Sequence, residues 1–354
     1  MIRLVGEWGL AGLIDTLKSS SIAVVGAGGA GDVVSALVLC RVLADLFNVR
    51  ACTPVAVLWE RWPHDPYPGP IPRGLIRNAR LNRCTYINRN SYVVRGGKYV
   101  FKPQASLIAE VIGREIPSIT LEQGVNGVLE CLNELSEIGY SFLILLDVGG
   151  DILAHGWEDE LWSPLTDAMV LAAASKAKLT SVVAVLAPGA DGELPRDYVI
   201  NRVNKFLKLG AYLGLLGLWR EHIRFYEDVL PKSLTEAGRV PYDALRGSVG
   251  VKAIRNGSRE VIVDVMSTAI YIFKVKELCN ELPLPRALVS TKSLAEAVKI
   301  AEELGIQTEL HLEVEAARRY GCGPKARGAI DWVGIRSLVK ERIRKLKLKS
   351  CSTQ

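Results

Sequence analysis

Residues 21–25 form a short apolar run that ends in glycines, and an apolar helical periodicity follows over 33–47. A strand, a glycine turn and a buried helix open a βαβ unit. Residues 51–58 read as the next strand, and 59–73 as a loop, because its prolines forbid regular structure there. Segments 92–95 and 98–101 flank Gly96-Gly97 and predict a hairpin. Helices are predicted over 105–113 and 125–137, then a strand over 142–146 and a helix opening at Pro164. A strand over 181–186 precedes a helix opening at Pro195, since proline is tolerated in a first turn. This alternation predicts a doubly wound α/β fold, Rossmann-like, whose mostly parallel sheet carries helices on both faces.

After Lys205 the pattern blurs into helices, with one further strand near 269–274. Segments 287–290, 294–304 and 307–310 read as a final strand–helix–strand piece. Apolar residues at Ile335, Leu338, Val339, Ile343 and Leu346 then mark an amphipathic tail helix. The expected division is an α/β ligand-binding domain over 1–285 and an extension over 286–354. There is no internal repeat and no low-complexity linker.

The chain has 354 residues, of which 49% are hydrophobic, and a mean hydropathy of +0.18. That composition supports a large buried core and excludes disorder. The apolar runs 142–146, 182–187 and 212–219 fall short of the roughly 20 residues that span a bilayer. Glu7 and Asp15 interrupt any signal-peptide pattern, so a cytoplasmic setting without membrane contact is expected. The seven cysteines are scattered with no zinc-like spacing and read as buried reduced thiols. Only four glutamines occur, a weak pointer to a thermophilic source.

The formal charge of +6 changes the picture once it is located. From Arg336 to the end there are seven basic residues and one acid, Glu341, which leaves 37 of each sign before it. A neutral body argues against a phosphate-backbone groove. Nucleic acid is therefore an expected partner only for the basic tail. The apolar stripe of that tail is expected to dock on the body, separate from any ligand site, with the basic face solvated.

Gly26, Gly28 and Gly31 match G-x-G-x-x-G between a strand and a helix, with Gly29 inside the turn. Such a turn lets backbone approach a ligand, and the helix start favours anions. Asp32 follows directly, where it would either stabilise the helix dipole or repel a phosphate unless a cation intervenes. Two further acidic turns follow strands: Asp147-Val-Gly-Gly-Asp151, and Asp191 with Glu193 in Pro188-Gly-Ala-Asp-Gly-Glu193. In open parallel sheets the ligand crevice lies outside strand carboxyl ends. Asp32, Asp147, Asp151, Asp191 and Glu193 are thus candidates for one acidic, metal-holding rim. Asp147, Asp151 and Asp191 are the candidates for polarising a substrate. Carboxylates with substrate phosphates suit Mg²⁺, although Asp and Gly also simply form loops.

Ser163 reads first as the cap of the helix at Pro164, with Asp167 beside it. The loop with Trp59, Glu60 and Arg61 is a candidate pocket wall. His155 lies near the acids, and no triad order or HExxH spacing occurs. The leading expectation is a Mg²⁺-dependent protein binding a nucleotide or other phosphorylated metabolite and handling its phosphoryl or nucleotidyl group, though no Walker lysine follows the glycines. A NAD-dependent oxidoreductase is the rival, with Glu60 on the ribose, but Glu60 arrives 29 residues past Gly31 where about 20 is usual. A third reading is a non-catalytic metabolite sensor or scaffold. A homo-oligomer is compatible with all three.

The sequence Val25-Gly-Ala-Gly-Gly-Ala-Gly-Asp-Val-Val-Ser-Ala36 opens a set of motifs. Trp59-Glu-Arg61 with Pro68-Gly-Pro70, Gly149-Gly-Asp151, Ser163-Pro-Leu165, Asp167-Ala168 and Gly189-Ala-Asp-Gly-Glu-Leu194 complete it. Together they resemble the largely archaeal domain-of-unknown-function family 1152, over roughly 21–288. The resemblance implies an α/β fold and a cytosolic setting. It implies no activity, so no catalytic residue is carried over from it.

Overall fold

The computed structural model describes residues 10–328 and 330–352. Helix α1 (Leu10–Ser19) precedes β1 (Ser21–Gly26), α2 (Asp32–Phe47) and β2 (Ala51–Val57). The long loop that follows carries the short strands β3 (Ile76–Arg77), β4 (Arg80–Leu81) and β5 (Thr85–Ile87), then the hairpin β6 (Tyr92–Arg95) and β7 (Tyr99–Phe101). Next come α3 (Gln104–Ile112), β8 (Ile116–Ile119), α4 (Gly124–Glu137), β9 (Phe142–Val148), α5 (Pro164–Lys176), β10 (Thr180–Leu186) and α6 (Arg196–Lys208). The second half holds β11 (Tyr212–Gly217), α7 (Ile223–Glu227), α8 (Arg239–Leu245), β12 (Gly250–Ile254), β13 (Arg259–Val263) and β14 (Ala269–Lys274). The chain closes with α9 (Val275–Glu281), α10 (Pro283–Leu288), α11 (Leu294–Leu304), α12 (Glu309–Tyr320) and α13 (Trp332–Ser352).

Among the described residues the main sheet has nine strands in the order β11-β14-β10-β9-β1-β2-β8-β5-β4. Strands β10, β9, β1, β2 and β8 run parallel, while β14 lies antiparallel between β10 and β11. The expected doubly wound α/β fold is what the chain forms. Its two cores follow from the period-two alternation of strand side chains. Ile22 and Val24 of β1, with Phe142 and Ile144 of β9, pack with Val34, Leu37 and Val38 of α2. Ala23, Val25, Leu143 and Leu145 pack on the other face with Leu132 of α4 and Leu165 and Met169 of α5. Each such large side chain, fully buried, contributes about 1.5–3 kcal/mol. Strand β1 lies between β2 and β9, so the chain's direction of travel across the sheet reverses there. The carboxyl ends of β1 and β9 therefore flank the crevice in which this architecture places ligands.

Four expectations need correction. Segments 287–290 and 307–310 are not strands, because the region folds as α10, α11 and α12. The short run Ala287-Leu-Val-Ser290 does not distinguish strand from helix, and over 307–310 the capping interaction of Thr308 with His311 starts α12 instead. The region after α6 is not simply helical either. Residues 212–217 pair with β14, and β12 and β13 form a hairpin.

Nor are the cysteines all reduced. Cys40–Cys52 and Cys84–Cys131 are disulfides, with Cα atoms 5.2 and 4.5 Å apart. Helix α2 runs back along the strand it feeds, which brings Cys40 opposite Cys52, a proximity that sequence spacing does not encode. Cys279 and Cys322 are free.

The tail helix docks as its stripe requires. Ile335, Val339 and Ile343 are buried with Trp62 and with Leu312 and Ala316 of α12. Its basic face is not wholly solvated: Lys340 Nζ donates to Glu158 O at 2.6 Å, and Arg342 pairs with Glu315 at 3.1 Å. The side chain of Leu346 lies outside the described residues. No described helix is long and apolar enough to cross a membrane.

Candidate functional site

The glycine turn joins β1 to α2 at close quarters. A Cβ on Gly26 would lie 2.6 Å from the backbone of Asp32 and Val33, and one on Gly31 2.5 Å from Thr235 Oγ1. Gly29 adopts φ +79°, a left-handed conformation that glycine reaches at no steric cost. Most of the turn's amides are spent within the chain. Gly28 N–H donates to Asp32 Oδ2 at 3.1 Å, Ala30 N–H to the Trp59 carbonyl at 2.8 Å, and Asp32 N–H to Gly29 O at 3.0 Å. The turn thus holds a carboxylate where a phosphate cradle would leave these donors open.

One cavity of about 150 Å³ collects the acidic turns. Gly28, Gly29, Gly31, Asp32, Glu60, Asp147, Asp151, Asp191 and Glu193 all line it, as do Trp59 and Arg61. The structure therefore brings the five rim carboxylates together. Asp147 is the penultimate residue of β9, and Asp151 follows Gly149 and Gly150, both at positive φ. Asp191 and Glu193 lie beyond β10.

Their hydrogen bonds sort these carboxylates. Glu193 accepts from Trp162 N–H at 2.9 Å, Ser163 N–H at 3.0 Å and Ser163 Oγ at 2.6 Å, so it anchors the start of α5. Asp191 Oδ1 accepts Glu193 N–H at 3.0 Å, and Asp147 Oδ2 accepts Ile152 N–H at 3.2 Å. Glu60 accepts Gln104 N–H at 2.7 Å and is committed to the start of α3. Asp167 differs from all of them. It is 1% exposed, and neither carboxylate oxygen has a hydrogen-bond partner.

Ligand oxygens of Asp147, Asp151 and Asp167 lie within 4.8 Å of one another, as do those of Asp151, Asp191 and Glu193. Burial raises Asp147, Asp151, Asp167 and Asp191 well above the ordinary aspartate range, and mutual repulsion raises them further. Asp32 is partly exposed as a residue but has an enclosed carboxyl, pushed to about 8 by burial. Buried carboxylates in this density stay ionised only with a compensating cation. The first triad suits one better, since it contains the orphaned Asp167 while Glu193 is already saturated.

The sequence reading took Asp167 for part of a helix cap, but its side chain caps nothing. The available signal was a lone acid in a helix buried continuously from Pro164 to Ala174. Glu309 and Glu313 of α12 were missed altogether. Glu309 accepts Leu165 N–H, Thr166 N–H and Thr166 Oγ1 at 3.0, 2.8 and 2.6 Å. Glu313 accepts Trp59 Nε1 at 3.1 Å and Gly69 N–H at 2.7 Å. These bonds fasten α12 over the pocket. His155 is not a pocket residue; it bonds Arg202 Nη1 at 2.8 Å.

A Cβ on Gly28 would meet Asp32 Oδ2 at 2.9 Å and Asp167 Oδ2 at 3.3 Å. Both neighbours are side-chain ends, so the fold accommodates the group by moving carboxylates. Gly28→Val is expected to keep its circular-dichroism spectrum and to lose any stabilisation that Mg²⁺ gives the parent. Unchanged stabilisation by Mg²⁺ in the variant would reduce the turn to packing.

No curated protein and no solved structure matches the chain. The family described as "Protein of unknown function (DUF1152)" matches residues 23–317. The match runs past 288 and through Glu309 and Glu313 of α12. With the match spanning most of the chain, the protein belongs to the DUF1152 family.

Proposed function

We propose that the pocket binds a divalent cation together with a small phosphorylated metabolite, and that the protein is a Mg²⁺-dependent enzyme acting on the phosphoryl group. The observation that carries this reading is Asp167, a buried carboxylate with both oxygens unpartnered beside Asp147 and Asp151. Hard, acceptor-only oxygens fit Mg²⁺, which typically takes one or two carboxylates and completes its shell with waters and substrate phosphates. Asp147, Asp151 and Asp167 would hold the cation, which would supply charge neutralisation to a phosphoryl group. The chain's own contribution is to shield the site under α12 and to hold Asp32 by the Gly28 amide.

A dinucleotide fits less well. The cavity, about 150 Å³, is below the roughly 300–1,000 Å³ of common ligand sites. The acid expected on a ribose, Glu60, is bonded to Gln104, and several turn amides are taken. The test is a thermal-shift and calorimetric screen of nucleotides and sugar phosphates with and without Mg²⁺. A ligand at a hundred times its Kd is expected to add about 2.7 kcal/mol of stability only when Mg²⁺ is present. Tight Mg²⁺-dependent binding without turnover would make the protein a metabolite sensor. Ligand binding indifferent to Mg²⁺ and to Asp167→Asn would end the proposal.

A further inference from the structure

The wall facing the carboxylates carries an unassigned group of cations. We infer that Arg61, Arg255 and Arg259 form an anion clamp that takes the phosphate of the metabolite, with the acidic floor on its other side. This inference rests on the cation reading above for what lies on the far side of the phosphate.

All three arginines line the same cavity as Asp32, Asp147, Asp151, Asp191 and Glu193, and Asp167 lies in a small adjoining cavity that shares Asp151. Arg61 Nη1 lies 2.7 Å and Arg255 Nη1 3.3 Å from the same oxygen, Glu236 Oε2. One carboxylate thus serves two guanidinium groups. Arg259 stands 3.5 Å from Glu193 Oε1 and donates to the Asp191 carbonyl at 3.1 Å. Its guanidinium also lies 4.3 Å from the centre of the Trp162 ring. Glu193 meets Arg259 only as a counter-charge, since its hydrogen bonds come from the Trp162 and Ser163 donors. The wall holds more positive charge than its own acids neutralise, next to a floor with the opposite imbalance.

The way Arg255 is held points the same way. It lies in the turn between β12 and β13 at φ +57°, followed by Asn256 at +55°. A non-glycine residue there carries backbone strain of the kind that gathers at ligand clamps. Its amide donates to Glu236 Oε1 at 2.9 Å, which fixes the strained turn against the pocket. The Arg255 Nε is buried with no hydrogen-bond partner. The chain therefore leaves this donor without an acceptor of its own. Burial and the nearby Arg259 lower Arg61 to about 10 against the opposing pull of Glu236, and it remains charged at neutral pH.

Planar guanidinium forks match the oxygens of a phosphate in pairs, which a lysine cannot reproduce. The small cavity limits the rest of the ligand, so the class is a compact phosphomonoester rather than a dinucleotide.

Calorimetric titration of the full chain with inorganic phosphate, with and without Mg²⁺, tests the clamp. Arg255→Ala is expected to weaken phosphate binding by roughly tenfold or more while Mg²⁺ affinity stays within a factor of about two. Arg255→Lys is expected to recover only part of the loss, and Arg61→Lys to show a similar partial loss with the fold kept. Failure of the parent to bind phosphate would overturn the clamp, as would equal binding by parent and Arg255→Ala. Phosphate binding that depends on Arg255 but not on Mg²⁺ would retain the clamp and remove the cation reading.

Discussion

Asp167→Asn is expected to raise the stability of the metal-free protein at pH 8 and to abolish its stabilisation by Mg²⁺. The two effects have opposite signs for one physical reason. In the absence of a cation the Asp167 carboxylate is buried, unpartnered and surrounded by Asp147, Asp32 and Glu309, all of which raise its proton affinity beyond what burial alone does. Asn needs no proton there, so the variant escapes the cost of protonating that carboxyl at pH 8, where the unfolded chain leaves it ionised, a gain on the order of 1–3 kcal/mol. The same change removes a ligand. The loss of Mg²⁺ affinity is expected to exceed the roughly 10–100-fold typical of outer-shell partners. Chemical denaturation with and without Mg²⁺ reads both quantities. A metal-free variant less stable than the parent would mean that Asp167 has a structural partner, and the cation reading would lose its main support.

The metal-free protein is also expected to lose stability as pH rises from about 4.5 to 8. Glu60 and Glu313, neither of them a proposed ligand, are each pushed to about 8, first by burial. Asp65 adds repulsion to both, and Glu309 adds it to Glu313. The Gln104, Gly69 and Trp59 donors oppose the shift. A carboxyl whose folded-state proton affinity is raised binds more protons folded than unfolded across this window. Stability therefore falls as pH climbs, and the favourable contribution is complete only below the unfolded value. For the two groups together the fall is on the order of 5 kcal/mol, after allowing for local relaxation. Glu60→Gln with Glu313→Gln is expected to lessen the slope of unfolding free energy against pH, the remainder coming from Asp32 and the other buried aspartates. A slope unchanged by the double substitution would show that both carboxylates ionise freely in the folded protein.

Much of this protein follows from short-range pattern. The strands of residues 21–26, 142–148 and 180–186 declare themselves by apolar runs, and each ends in turn residues. Strand period and parallel order then place the turns after them at one edge of the sheet. For that reason Asp32, Asp147, Asp151, Asp191 and Glu193 could be grouped from the sequence before any distance was known. Local pattern also marked the docking stripe of Ile335, Val339 and Ile343, because helical spacing alone defines it.

What only the tertiary structure decided is how the polar groups are paired. Glu193 and Glu60 look as available in sequence as Asp167, yet Glu193 is held by three donors at the start of α5 and Glu60 by the Gln104 amide at the start of α3. The glycine turn reads as a phosphate cradle until Asp32 and the Trp59 carbonyl are seen to take its amides. Glu309 and Glu313 join the pocket from more than 100 residues away, and the Cys40–Cys52 and Cys84–Cys131 bonds form between different elements. Hydrogen bonds and disulfides depend on distances of a few ångströms between side chains from different elements. The sequence specifies which groups exist and which face each takes, but their pairing is settled only when the elements pack.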